Sequence, residues 1–194
     1  GWLALQVTIP PDYVSILFPS AGMALAFIVI AGPRAVWGVF VGSLLVQLLA
    51  TLQAGASPLT WSLLPPALGA MLQALVGAAL MKRFTGAQTT LDTPRDIAFF
   101  IGLVAPLSCL INASVSVPTL LLAGIISPEA ALFSWVNWWL GDTLGVMLAA
   151  PLTLAFLGMP RDAWRSRRTP LTVTLITALL LTGLAFNEAR ETET

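Results

Sequence analysis

The sequence predicts an all-α fold, a polytopic transmembrane helical bundle with about six full spans and the end of an earlier one. Hydrophobic residues make up 57% of the 194 residues and charged residues only 9%, whereas about 25% of the residues in a soluble domain are charged. The apolar residues are gathered in runs, and a membrane helix needs about 20 of them. Lysine and arginine lie mainly between these runs. We therefore expect an integral membrane protein.

The predicted spans are separated by segments that contain proline, glycine or charge. In chain order they are residues 13–31, 36–52, 61–81, 97–122, 133–157 and 172–186. Residues 1–7 are too short to span and are expected to end a helix that starts upstream. Pro65 and Pro66 are expected to kink the third span or delay its start. Thr93 is expected to cap the helix that begins at Pro94.

The run 97–122 contains two prolines and a polar patch, and it has two interpretations. It is either one long, kinked and tilted helix, or a span followed by a short re-entrant piece. We prefer the single helix. The interrupting residues are Pro106, Asn112, Ser114, Ser116 and Pro118.

The positive charges predict the orientation. Eight of the nine fall in alternate loops, at Arg34, Lys82, Arg83, Arg95, Arg161, Arg165, Arg167 and Arg168, and the ninth, Arg190, lies in the C-terminal exit. The positive-inside rule places these loops in the cytoplasm of a bacterial inner membrane. The C-terminus would then be extracytoplasmic. This orientation requires that 97–122 crosses the membrane once.

The residue types exclude several kinds of site. The chain has no histidine and one cysteine, which leaves no histidine-ligated haem or zinc site and no disulfide framework. Cys109 is expected to pack as a small apolar side chain. Phosphate loops, nucleophile elbows and nucleic-acid motifs are absent. We expect no metal, cofactor, catalytic residue or nucleic-acid partner in this chain.

Asp142 is the leading candidate for a functional residue, because an ionisable group inside a span costs several kcal/mol unless it is paired or hydrated. At 100° per residue it shares a face with Trp138, Trp139 and Trp135, and Asn137 lies within the same cluster. Counting about 1.5 Å per residue from residue 133 places Asp142 roughly 13–14 Å deep, near the midplane.

Two roles for Asp142 remain open at this stage. It is either one interhelical hydrogen-bonding group, of a kind that contributes about 0.6 kcal/mol, or the floor of a ligand or ion pocket with an indole wall. No lysine or arginine lies inside a span, so the neutral carboxyl is favoured. We expect it to donate to Gln47, Gln73 or Asn112.

Two pairs of glycines have the spacing of close helix contacts. They are Gly38 with Gly42, and Gly141 with Gly145. Small residues four apart allow two membrane helices to approach closely. We interpret both pairs as helix-packing positions.

Three segments resemble the bacterial membrane-associated sensor (MASE) family, first type. They are PSAGMALA at 19–26, G-x-R-x-x-W-G-V-F-x-G at 32–42, and WWLGD-x-x-G at 138–145, which is followed by Pro151 and Leu152. The resemblance implies a non-catalytic N-terminal input module of histidine kinases and cyclic-di-GMP enzymes. Residues 1–186 would be the integral membrane sensor domain. Residues 187–194 would begin an extracytoplasmic linker or a following domain, as in members with a periplasmic ligand-binding domain.

Three functions are compatible with these features. The first is a sensory input module that passes a stimulus to downstream domains by helix repacking. The second is a small-solute or ion transporter that uses the midplane carboxylate, and the third is a passive anchor. The expected partners are membrane lipid, an unknown small ligand, and a second copy of the full-length receptor in a homodimer.

Overall fold

The computed structural model describes residues 18–53, 55, 61–85, 91, 93–158 and five positions between 169 and 177. These residues form helices: α1 (Pro19–Ala31), α2 (Val36–Gln53), α3 (Leu64–Thr85), α4 (Pro94–Phe99), α5 (Ala105–Leu122) and α6 (Pro128–Leu157). Short 3-10 turns at Pro33–Ala35 and Trp61–Leu63 precede α2 and α3. The all-helical prediction is confirmed for this part of the chain.

The predicted number of six spans is not confirmed. Among the described residues, four helical segments are long and apolar enough to cross a membrane. They are Pro33–Gln53, Trp61–Thr85, Pro94–Leu122 and Pro128–Leu157. The predicted segments at 1–7 and 13–17 lie outside the described residues, as does most of 172–186.

Helix α1 is shorter than the predicted first span. It begins at Pro19, because proline suits the first helical position, and Phe18 before it has φ −118° and ψ 78°. It ends at Gly32, whose φ of 82° favours glycine. Its 13 residues correspond to roughly 20 Å, which is less than a hydrocarbon core of about 30 Å.

Residues Pro94–Leu122 form one continuous helical segment, which confirms the single-helix interpretation. Thr93 caps it as predicted, since its side chain accepts from the Asp96 N–H at 3.1 Å. A π-helical turn at Phe100–Val104 joins α4 to α5. The turn ends just before Pro106, which has no N–H to continue the helical ladder.

Helix α6 is the longest of the described helices. It contacts α1 and α5 extensively, and α3 packs against α5, α2 and α1. Like the short helix α4, helix α2 has no buried residue, whereas each of the other described helices does. It is therefore a peripheral wall that packs mainly on α3.

Candidate functional site

A cavity of about 560 Å³ lies between α1, α2 and α3, and α5 and α6 contribute part of its lining. We call it the Asp142 cavity. Its polar lining residues are Ser20, Ser43, Gln47, Gln73, Asn112 and Asp142. Its larger apolar lining residues are Phe18, Met23, Phe27 and Trp138. A volume of this size is within the range of about 300–1,000 Å³ seen for small-molecule sites.

Asp142 is buried, with 1% of its surface exposed, and a directed hydrogen-bond chain holds its carboxyl. Asn112 Nδ2 donates to Asp142 Oδ2 at 2.9 Å. Ser116 Oγ donates to Asn112 Oδ1 at 3.0 Å. Since Ser116 occupies the amide oxygen, the amide NH₂ is left for the carboxyl. The predicted pairing with Asn112 is thus present, but Asp142 accepts this bond, whereas we expected it to donate.

Two further polar atoms at the cavity are buried without a hydrogen-bond partner among the described residues. They are Gln73 Oε1 and Ser20 Oγ. Gln73 is only 3% exposed, and its side chain also faces the Asp142 carboxyl. A buried polar atom without a partner costs about 1–3 kcal/mol. Both atoms therefore mark positions where hydrogen bonding to a bound molecule would be favourable.

A row of small and polar residues on α3, which includes Gln73, packs against a similar row on α5, which includes Asn112. On α3, Gly69, Gln73 and Gly77 recur every four residues and are all buried. They face a stripe on α5 that includes Asn112, and a Cβ built on Gly69 would lie 2.7 Å from Asn112 Oδ1. The absence of a side chain at Gly69 therefore gives the Asn112 amide its place beside Asp142.

Gly141 and Gly145 of α6 contact the backbone at Phe18 and Pro19, where α1 begins. The Phe18 N–H donates to the Gly141 carbonyl oxygen at 3.1 Å. A Cβ on Gly145 would overlap the Phe18 carbonyl oxygen and lie 3.2 Å from Pro19 N. Gly22 belongs to the same contact between α1 and α6, and a Cβ built on it would lie 2.7 Å from the backbone nitrogen of Ala150. This close crossing sets Phe18 and α1 against the Asp142 cavity.

Gly38 and Gly42 make no close contact with another described helix. No described atom lies within 4 Å of a Cβ built on either residue. Both instead line the Asp142 cavity from α2. Among the described helices α2 is peripheral, and none of them reaches these two glycines. A role of this pair in helix packing stays a prediction.

The three tryptophans divide between two environments. Trp138 lines the cavity, whereas Trp135 and Trp139 stack on each other with ring centroids 6.2 Å apart. Their indole N–H groups donate to α5, Trp135 to Ser114 Oγ at 3.2 Å and Trp139 to the Pro106 carbonyl at 2.8 Å. The expected indole wall is therefore one indole, and the other two fasten α6 to α5. Asn137 is not among the cavity-lining residues.

The described lining of the cavity has an acidic residue and no basic one. Asp142 is its sole ionisable residue, and no lysine or arginine is among the described lining residues. No group of three or more His, Cys, Asp or Glu side chains that could hold a metal occurs in the described ranges. Cys109 is buried and free, as predicted.

The comparison with known families is decisive for the class of protein. The MASE1 family model matches residues 2–189, almost the whole chain. The chain belongs to the MASE1 family. MASE1 domains are membrane sensory input domains, typically of signalling receptors, and are not themselves catalytic. No curated protein and no solved structure matches this MASE1 chain.

Proposed function

We propose that this MASE1 domain is the sensory input module of a bacterial signalling receptor, a histidine kinase or a cyclic-di-GMP enzyme. A stimulus enters the Asp142 cavity and is passed to the downstream domains by helix repacking. The observation that carries the proposal is a buried carboxyl in a cavity between helices of a sensor-family domain.

Asp142 is at a costly position for a purely structural group. It is the fifteenth of the 30 residues of α6, so either end of the helix is roughly 21 Å away. A single amide or hydroxyl would make an interhelical bond at lower cost than a carboxyl. The carboxyl nevertheless has a dedicated donor in Asn112. Its placement beside a cavity supports a role in binding.

Helix α2 is the element through which binding would be transmitted. It supplies one wall of the cavity through Gly38, Gly42, Ser43 and Gln47, yet none of its residues is buried. Elements with few buried contacts move at the lowest free-energy cost. A ligand that contacts both α2 and the Asp142 side would therefore draw α2 inward.

The proposed location is the bacterial inner membrane, with several spans. The single helical segment at Pro94–Leu122 supports the orientation, because it and Pro128–Leu157 then give two crossings between Arg95 and the basic residues that begin at Arg161. Under the positive-inside rule the side on which both lie is cytoplasmic. Residues 187–194 would emerge on the extracytoplasmic side, after an integral membrane domain at 1–186. Membrane lipid and a second receptor copy are the proposed partners.

The test is the signalling output of the full-length protein with Asp142→Asn. We expect the variant to insert at the wild-type level and to lose its response to the stimulus. Glu129→Gln is the matched control, because Glu129 is an exposed acid in the first turn of the same helix. A normal response of Asp142→Asn under every condition that changes wild-type output would contradict the proposal. That result would favour the third function, a passive membrane anchor.

A transporter of a small solute or ion is the second candidate, and the midplane carboxyl beside a cavity is the observation in its favour. Proteoliposomes that contain the full-length protein separate the two functions. Uptake that depends on Asp142 would favour the transporter. Signalling output without uptake would favour the sensor.

A further inference from the structure

We infer that the Asp142 cavity binds a small organic amine in its protonated form, as a primary ammonium. The inference rests on the proposed function, since it names the class of ligand that the sensory site would take. It is carried by the polarity of the atoms at the cavity, by the sign of its charge and by its depth in the bundle.

Three side-chain acceptors belong to residues that line the cavity. The Asp142 carboxylate, Gln73 Oε1 and Ser20 Oγ belong to residues that line the same cavity. The last two are buried without partners among the described residues. A primary ammonium has three N–H donors and no acceptor. An ammonium N–H can therefore serve as the donor to any of these acceptors.

The donors near the carboxylate are already committed to it. Asn112 gives its Nδ2 to Asp142 and receives Ser116 on its Oδ1. The amide is thus held with its NH₂ on the carboxylate and its oxygen turned to Ser116. This chain orients the carboxylate without neutralising it, because the Asn112 amide and the Ser116 hydroxyl behind it are both uncharged.

A cation is the ligand charge that the lining favours. Asp142 is the ionisable lining residue, and the described residues place no lysine or arginine beside it. A buried charge without a counterion is strongly unfavourable. Trp138, Phe18 and Phe27 add aromatic side chains to the same lining, and aromatic faces attract cations. An ammonium with an apolar body satisfies both parts of the cavity.

The depth of the site favours a free amine over a lipid head group. Asp142 is halfway along α6, which corresponds to roughly 15 Å below either surface of a hydrocarbon core of about 30 Å. A phosphatidylethanolamine ammonium would have to leave the interface by that distance. A small free amine carries no such anchor.

The test is calorimetric binding of benzylammonium and of its neutral isostere benzyl alcohol. The full-length protein is held in phosphatidylcholine nanodiscs, and empty nanodiscs correct for partition into lipid. We expect benzylammonium to bind at least about tenfold more tightly than benzyl alcohol, as for hydrogen bonds to a charged group. Equal affinities would overturn the inference.

Two variants and a control assign the selectivity to the cavity. Asp142→Asn should abolish the preference for benzylammonium, and Ser20→Ala should reduce it without removing a charge. Glu129→Gln should keep the wild-type preference. If Asp142→Asn fails to fold, the Ser20→Ala ratio decides, and an unchanged ratio in that variant overturns the inference.

A last arm identifies the source of the ammonium. Phosphatidylethanolamine added to the nanodiscs should leave benzylammonium binding unchanged, and competition by that lipid would overturn the assignment to a free amine. The inference and the proposed function fail differently. Loss of cation selectivity with an altered Asp142→Asn output contradicts only the ligand class. Selective binding with a normal Asp142→Asn output contradicts the sensory role.

Discussion

Replacement of Gly145 by alanine tests the close crossing that holds α1 against the Asp142 helix. The new Cβ would overlap the Phe18 carbonyl oxygen and lie 2.5 Å from the Phe18 carbonyl carbon. These are backbone atoms, so no side-chain rotation relieves the contact. Overpacking costs about 1–3 kcal/mol, and we take the upper end because backbone must move. Alanine returns about 1 kcal/mol through helix propensity.

The expected net loss is therefore about 2 kcal/mol, or a fall of roughly 4–8 °C in the melting temperature for a chain of this length. The assay is thermal unfolding in nanodiscs, followed by tryptophan fluorescence. Gly42→Ala is the matched control, because it is also helical and has open space around its Cβ. Its stability should be unchanged or slightly higher. Equal melting temperatures for the two variants would refute the crossing.

Three further predictions concern the site and the helix ends. Gly69→Ala places a Cβ 2.7 Å from Asn112 Oδ1, so it should displace that amide and alter receptor output, and Asn112→Leu should have the same effect; a wild-type output would contradict this. Thr93→Ala removes the capping box and should cost about 1 kcal/mol, seen as faster amide exchange in α4; unchanged exchange would show that the cap is dispensable. Spin labels at exposed Leu45 and Leu72 should move closer when benzylammonium binds, since α2 closes on α3; an unchanged distance distribution would contradict that motion.

The hydrophobic runs predicted the helices well wherever turn-forming residues lie at both ends of a run. The prediction of a helix at 36–52 agrees with α2 at Val36–Gln53, and the run 97–122 is one helical segment as preferred. The π-helical turn at Phe100–Val104 had no signal in the hydrophobic pattern. Proline at 106 was noted only as an interruption. Its missing N–H lies just after this turn, and the sequence does not say how the helix accommodates it.

The candidate site was predictable in its central residue and less so in its partners. Helical periodicity places Trp135 and Trp138 on the face of Asp142, but it does not say which neighbour each one meets. Trp138 lines the cavity, whereas Trp135 bonds to α5. The role of Gly69 was missed because we searched for glycines four apart. The recurrence of Gly69, Gln73 and Gly77 every four residues was the signal that could have found it.

Ligand polarity was harder to predict than position. Sequence alone favoured a neutral Asp142 that donates a hydrogen bond, because no cation lies inside a span. The direction of the bond from Asn112 depends on Ser116, which occupies the amide oxygen. Such a three-residue chain depends on the contact between α5 and α6, and one sequence contains no information about that contact. The protonation state of Asp142 stays a prediction.

Controlled filling of the Asp142 cavity tests the central claim most directly. Ser43 lines the cavity from α2, so Ser43→Cys in a Cys109→Ser background lets aminoethyl methanethiosulfonate place a tethered primary ammonium there. The measurement is the output of the full-length receptor before and after this modification. We predict that the tethered ammonium fixes the output in its stimulated state, and that a methyl reagent at the same cysteine has a smaller effect. Unchanged output after complete modification would contradict the account.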